Sequence, residues 1–272
     1  MLAGAVACGG SDTAPNGMTA NDILAMCHNA SASINTSQLY TTKTFNNPNF
    51  STTINSFTSK DRFNHTSFHS ENTSMTSKWW DNLSMTLNSE TYKFREEIYI
   101  FNNSLYVYKS AEEINISKWI RTESTVDLWW DEEDINSLYQ ECVNQSADAD
   151  YMGNEIVREI DCYKIGFTHD LSAIADILRY FNFNTSGIDS GLDNGNISNL
   201  ECTIYVDRNT YYPIKVSLIS NLMIDNFIAN MSDVKTLSSI NQPVSIVLPE
   251  AAINATFISY SDYVSGNWSI FK

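Results

Sequence analysis

The sequence predicts an α+β protein built mainly from antiparallel β-hairpins, with short amphipathic helices covering part of the sheet. Three observations carry this. The segments Glu97–Tyr108 and Leu200–Ser220 read as hairpins, while stretches near 20–33, 132–147 and 168–178 read as helices. The chain is 43% hydrophobic and 12% aromatic over 272 residues, which is enough to bury a core in one large domain or two small ones.

The first helix follows a capping-box-like start, Thr19-Ala-Asn-Asp22, in which Asp stands where Glu or Gln is usual. Ile23, Met26, Cys27 and Ala30 then repeat at helical spacing. From Gln38 to Arg121 the pattern turns to β, rich in Thr, Tyr, Phe, Ile and Trp. In its clearest unit, Glu97–Tyr108, Asn102-Asn103 suits a two-residue turn because Asn tolerates positive φ. That turn sets Ile98 opposite Val107, Ile100 opposite Leu105 and Tyr99 opposite Tyr106, giving one aliphatic face and one aromatic face. A strand wet on one side would carry polar residues there, so both faces are expected to be covered. Acids from Asp131 to Asp134 open a second helix, where they complement the helix dipole.

Asn154–Phe167 reads as one strand. Leu171, Ile174, Ala175 and Leu178 mark a third helix, and Ile188–Asn199 is a Gly/Asp/Asn/Ser-rich loop. In the second hairpin Leu200, Cys202, Ile204 and Val206 share a face, Asp207–Thr210 turns the chain, and Ile214, Val216 and Leu218 return. Two or three further strands are expected to end at Pro243–Glu250, with the last twenty-odd residues as an appendage. The expected organisation is a tether over 1–18, one domain over 19–251 and a C-terminal extension over 252–272.

Thirty-two acids against 16 bases leave a net charge of −16. Phosphate backbones are held by Lys and Arg, so nucleic acid is excluded as a partner. The scattered acids read as a self-repelling, soluble surface. With 30 Asn, 33 Ser and 22 Thr, chance would give about 6 Asn-X-Ser/Thr glycosylation sequons. The chain has 14, among them Asn64, Asn72, Asn102, Asn115, Asn196 and Asn230. That excess predicts a secreted, N-glycosylated chain. The alternative is an Asn/Ser/Thr-rich surface without glycan.

The start of the chain resembles the end of a lipoprotein signal peptide. Ala5-Val6-Ala7-Cys8 stands in the lipobox place, with Ala where Leu is preferred. The resemblance implies that Cys8 carries the lipid, that residues 9–17 form a flexible tether, and that the protein is anchored to the outer face of the cell membrane. A lipobox together with dense sequons points to an archaeal surface. The remaining cysteines, Cys27, Cys142, Cys162 and Cys202, are candidates for disulfides with three possible connectivities.

Catalytic signatures are missing: the sequence has no HExxH, GxSxG, GxGxxG or P-loop. No enzyme activity, cofactor or metal is therefore expected. His65, His69 and Glu71 share a strand face on spacing alone, and solvation is their ordinary reading. The doublets Trp79-Trp80 and Trp129-Trp130 each send neighbours to opposite faces if they lie in strands. They read either as core packing or as the wall of an apolar pocket. With Tyr99 and Tyr106 they make up the candidate ligand-binding set.

Several motifs point to one family. They are Asn102-Asn103 followed by Leu105-Tyr-Val-Tyr108 and Trp119-Ile-Arg121, then Ile160-Asp-Cys-Tyr-Lys-Ile165. An Asp207-x-x-Thr-x-x-Pro213-x-Lys215 hairpin and a closing Pro243-Val-x-Ile-x-Leu-Pro-Glu250 complete the set. Over roughly residues 19–251 the chain resembles the lipoprotein-carrier-like proteins related to LolA and LppX. The resemblance implies a half-barrel: a strongly curved antiparallel β-sheet with helices packed on its concave face. It also implies a lipid or other hydrophobic ligand and no catalytic residues. A glycosylated envelope protein with a filled interior and no small-molecule ligand is the other reading, and no protein partner is indicated.

Overall fold

The computed structural model describes residues 13–81, 86–102, 104–112, 115–123, 146–169, 196–224 and 227–265. Cys8, Trp129, Trp130 and Cys142 lie outside these, as do most of the second and third expected helices and of the loop between 188 and 199. The described strands form one large open sheet. A first meander comprises β1 (Thr36–Asn46), β2 (Phe50–Asp61), β3 (Thr66–Asp81), β4 (Thr86–Phe101), β5 (Ser104–Ala111) and β6 (Ile116–Glu123). A second comprises β7 (Ser146–Val157), β8 (Ile160–His169), β9 (Asn196–Asp207), β10 (Pro213–Ile224) and β11 (Phe227–Ser238). The two join through β1 and β11, and a short β12 (Thr256–Phe257) adds to the far edge. The order is β12-β6-β5-β4-β3-β2-β1-β11-β10-β9-β8-β7. All pairs are antiparallel except β12 with β6.

The helix α1 (Ala20–Ser31) starts as its sequence dictates. Thr19 Oγ1 accepts from the Asp22 amide at 3.1 Å, and Asp22 Oδ2 accepts from the Thr19 amide at 2.9 Å. The Thr19 hydroxyl, donating to Asp22 Oδ2 at 2.7 Å, and the Thr19 amide together hold the Asp22 carboxyl below its ordinary pKa. Ala20, Ile23, Leu24 and Cys27 are buried, whereas Met26 is exposed; the apolar stripe is rotated by one position from the expected Ile23–Met26–Cys27 set. This stripe packs with Leu39, Ile165, Ile204, Val216, Leu218 and Leu237. Those side chains alternate along β1, β8, β9, β10 and β11, and the ladder registers put them on one face, the helix face.

On the same face of the first meander, Ile98, Ile100, Leu105, Val107 and Ile120 form a second cluster. The β4–β5 register pairs Ile98 with Val107, Ile100 with Leu105 and Tyr99 with Tyr106, as the turn at Asn102 (φ 50°) predicts. The C-terminal residues expected to be an appendage cover this cluster. After α2 (Glu250–Ile253), β12 runs beside β6, the Ile258 amide donates to the Arg121 carbonyl at 2.9 Å, and Ser259 caps α3 (Tyr260–Val264). Ile258 and Tyr263 then pack on the cluster. By contrast Pro243–Pro249, expected to be a strand, lies outside the sheet.

Two other segments depart from expectation. Asn154–Phe167 is not one strand: β7 and β8 turn at Arg158-Glu159, both at positive φ (49° and 67°). Such a turn normally announces itself with Asn-Gly or Asp-Gly, and here neither residue gives that signal. In the β9–β10 hairpin a register shift between Pro213 and Lys215 turns Ile214 away from Val216 and Leu218. It packs instead with Val157, Cys162 and Tyr205. The motif residues of that hairpin have plain structural roles. The Asp207 carboxylate accepts from the Asn209 amide at 2.9 Å, Pro213 opens β10, and Lys215 Nζ lies 4.7 Å from the centre of the Tyr205 ring.

Of the disulfide candidates, Cys202 is disulfide-bonded, whereas Cys27 and Cys162 are free, buried thiols. Each packs in an apolar cluster, Cys27 under α1 and Cys162 beside Tyr205. Burial pushes the Cys27 thiol up to about 12 and, with Asp207 nearby, the Cys162 thiol up to about 11.

Two predictions follow from this packing. Glu159→Gly relieves a left-handed backbone at the cost of chain entropy, and is expected to stabilise the protein by about 0.5–1 kcal/mol in chemical denaturation. A loss of stability would mean that the Glu159 side chain outweighs the backbone strain. In the folded, unreduced protein at pH 8, Cys27 and Cys162 are expected to resist alkylation and to react fully once unfolded. Rapid reaction of either in the folded state would contradict its burial, and no reaction after unfolding would mean that it is paired.

Candidate aromatic site on the sheet

The face of the first meander opposite the helix face carries a row of rings. Tyr40 on β1 lies 4.8 Å from Phe57 on β2, between ring centres, and Phe57 lies 6.0 Å from Phe68 on β3. Phe68 lies 4.6 Å from Tyr99 on β4, Tyr99 lies 5.9 Å from Trp119 on β6, and Trp119 lies 5.1 Å from Tyr108 on β5. The register makes this row. Tyr40 pairs with Phe57, Phe68 with Tyr99, Tyr99 with Tyr106 and Tyr108 with Trp119, so one choice of alignment brings rings from six strands onto one face. Contacts of this kind contribute about 0.5–1.5 kcal/mol per pair beyond area burial.

The row is graded in exposure. Tyr40 is 41% exposed, Tyr99 only 7%, and Phe57, Phe68, Tyr106, Tyr108 and Trp119 are half-buried. At the Tyr40 end the tip of the β7–β8 hairpin bends over this face, setting the Arg158 guanidinium 5.1 Å from the ring centre. At the centre, Tyr99 Oη donates to Glu97 Oε2 at 3.2 Å, and Glu97 pairs with Arg95. Burial, with the Glu97 charge in support, pushes the Tyr99 phenol well above its ordinary pKa. The phenol therefore stays a neutral donor across the physiological range, and the row presents apolar ring surface with a few hydroxyls.

The structure brings Tyr99 and Tyr106 together and leaves the tryptophan doublet apart. Trp79 pairs with Asn88 and Trp80 with Leu87, twelve residues along β3 from the Phe68–Tyr99 pair. At about 3.4 Å per residue that is roughly 40 Å away, too far for one small ligand. Sequence reading missed Tyr40, Phe57, Phe68, Tyr108 and Trp119. Their alternation within strands was a signal, but only the cross-strand register turns scattered aromatics into a row.

The other candidates are dispersed. His65 lies in the β2–β3 turn at φ 50°, so it does not share a strand with His69 and Glu71. His69 Nδ1 is 2.9 Å from Thr58 Oγ1 on the helix face. Among the described residues no group of three or more His, Cys, Asp or Glu side chains could hold a metal ion. The sequon asparagines Asn29, Asn49, Asn64, Asn72, Asn102, Asn115, Asn230 and Asn254 are exposed and Asn35 is half-buried; Asn196 opens β9.

No family model matches the chain, and no curated protein matches it. Among solved structures, LprF from Mycobacterium bovis is similar at 11% identity and a TM-score of 0.42, over 88% of this chain and 99% of that one. The lipoprotein LppX of Mycobacterium tuberculosis is similar at 13% identity and a TM-score of 0.38, over 84% and 99%. A LolA-superfamily protein from Nitrosomonas europaea is similar at 12% identity and a TM-score of 0.25, over 86% and 96%. LppX and LolA, the names of two of these structures, are also the names of the group that the hairpin and closing motifs resemble.

Proposed function

We propose that the protein is a lipoprotein of the cell surface, anchored to the membrane through a lipid on Cys8, that binds a lipid or other hydrophobic ligand. The observation that supports this reading is the aromatic row. A sheet face turned to water normally alternates with polar residues. Six neighbouring rings left partly exposed are instead the kind of apolar patch that marks a binding surface. In this reading the sheet curls as a half-barrel and the ligand lies along Tyr40, Phe57, Phe68, Tyr99, Tyr106 and Trp119, on the face opposite α1. The Tyr99 and Tyr106 hydroxyls orient it, and no bond is made or broken.

Native mass spectrometry of the protein from its own host, followed by organic extraction, tests the reading. A stoichiometric lipid lost on extraction, in addition to the anchor on Cys8, is expected. An unliganded protein would favour the second reading, a glycosylated envelope protein, to which the many exposed sequon asparagines lend support. Trp119 gives a further test. A bound acyl chain is expected to shift its emission to the blue, and Phe68→Ala is expected to weaken that binding by about tenfold, the equivalent of roughly 1.4 kcal/mol. An emission indifferent to added fatty acid would sink the aromatic row as the site.

A further inference from the structure

The aromatic face also carries a groove of about 490 Å³, displaced from the ring row toward the β5–β6 turn. One register line crosses its floor. Asn55 pairs with Asn72, Asn72 with Arg95, Arg95 with Ser110, and Ser110 with Ser117. Ser74 and Lys93 lie along one side, and Tyr108, the last ring of the row, along the other. Charge in the groove is balanced: Lys93 pairs with Glu112 at 3.4 Å, and Arg95 pairs with Glu97. The lining therefore combines amides and hydroxyls with ion-paired Lys93, Arg95 and Glu112 and the Phe94 and Tyr108 rings, which suits a neutral polyhydroxyl ligand better than an anion or an acyl chain.

Two lining residues, Asn72 and Asn115, are themselves sequon asparagines. Asn72 is exposed and begins Asn72-Thr73-Ser74. Asn64, Asn102 and Asn115 sit in turns at strand ends, where a glycan can project off the end of the sheet. Asn72 sits well inside β3, with paired strands on both sides. A sugar attached there leaves from the sheet face itself, beside the groove.

We propose that Asn72 is N-glycosylated and that the groove seats the proximal sugars of that glycan. Asn55 and Ser110 would bond sugar hydroxyls, and the Tyr108 ring would meet the apolar face of a pyranose. The inference rests on the reading of this chain as N-glycosylated. The modification joins Asn72 Nδ2 to C1 of the first sugar. It breaks the bond from C1 to the phosphate oxygen of a polyprenyl-phosphate-linked oligosaccharide, and the amide gives up one proton as the lipid phosphate leaves.

The test uses the full chain purified from its own host. Glycopeptide mass spectrometry reads occupancy at Asn72, Asn115, Asn64 and Asn102, and acylation by an N-hydroxysuccinimide ester under native conditions reads access to Lys93. Asn72 is expected to be occupied, with Lys93 acylated several-fold more slowly than in Ser74→Ala, which keeps Asn72 and removes the sequon. Ser74→Thr preserves the sequon and is expected to keep the slow rate, while Asn72→Gln is expected to match Ser74→Ala. Glycan at Asn64, Asn102 or Asn115 with Asn72 bare would overturn the proposal and leave the glycosylated reading standing. So would an occupied Asn72 with Lys93 equally reactive in Ser74→Ala. A chain without glycan at any sequon would overturn both.

Discussion

The β1–β11 ladder is the constraint on which the rest of the structure depends. It pairs Gln38 with Ser238 at one end and Asn46 with Asn230 at the other. Without it the chain would be two separate meanders, each with an exposed edge at its centre. Side chains reinforce the seam: Thr36 Oγ1 donates to the Gln242 carbonyl at 2.7 Å, the Asn35 amide to Asn241 Oδ1 at 2.8 Å, and Ser239 Oγ to Gln38 Oε1 at 3.0 Å. From 184 to 200 positions separate the partners in sequence, so closing this loop costs entropy before any contact repays it. The seam also sets the α1 cluster, since Leu39 of β1 and Leu237 of β11 meet across it beneath the helix.

Once the seam is fixed, the period of two decides what each face can do. A slip of one residue anywhere would exchange the faces. It would carry Ile98, Ile100, Leu105 and Val107 to the wet side and the rings inward. The two faces are not simple opposites, however. The helix face has two apolar clusters, and between them β1, β2 and β3 contribute buried Thr41, Thr58 and Ser67. Thr58 has His69 for a partner there, as buried hydroxyls require. The longest unbroken apolar surface among the described residues of the first meander is therefore the ring row, not the helix face.

How much of this was legible depended on whether the information was local. The α1 start was written in Thr19-x-x-Asp22, and the β4–β5 pairing followed from Asn102-Asn103 because turn chemistry fixes register over a few residues. The β7–β8 turn was not legible: Arg158-Glu159 adopts positive φ with residues that do not advertise it, held by the ladder on either side. The fate of Ile214 depended on a bulge, and that of residues 250–265 on an apolar cluster some 140 positions earlier at Ile120. The site shows the same division. Tyr99 and Tyr106 were found together because a hairpin joins them. Phe68 and Trp119 were missed because only the assembled sheet makes them neighbours.

An open sheet of this size has to manage its two edges, and here each is blunted differently. At one edge β12 pairs with only two residues of β6, in parallel, before Ile258 and α3 turn the chain back onto the helix face. Little of a continuous strand template is left there. At the other edge β7 breaks register between Ser146 and Asp148 and again between Tyr151 and Gly153, where φ is 106°. Such bulges, with acids such as Asp150 and Glu155 nearby, discourage a second strand from adding. A net charge of −16 opposes association further. The result is a sheet whose edges are guarded while one face keeps its rings partly open to solvent.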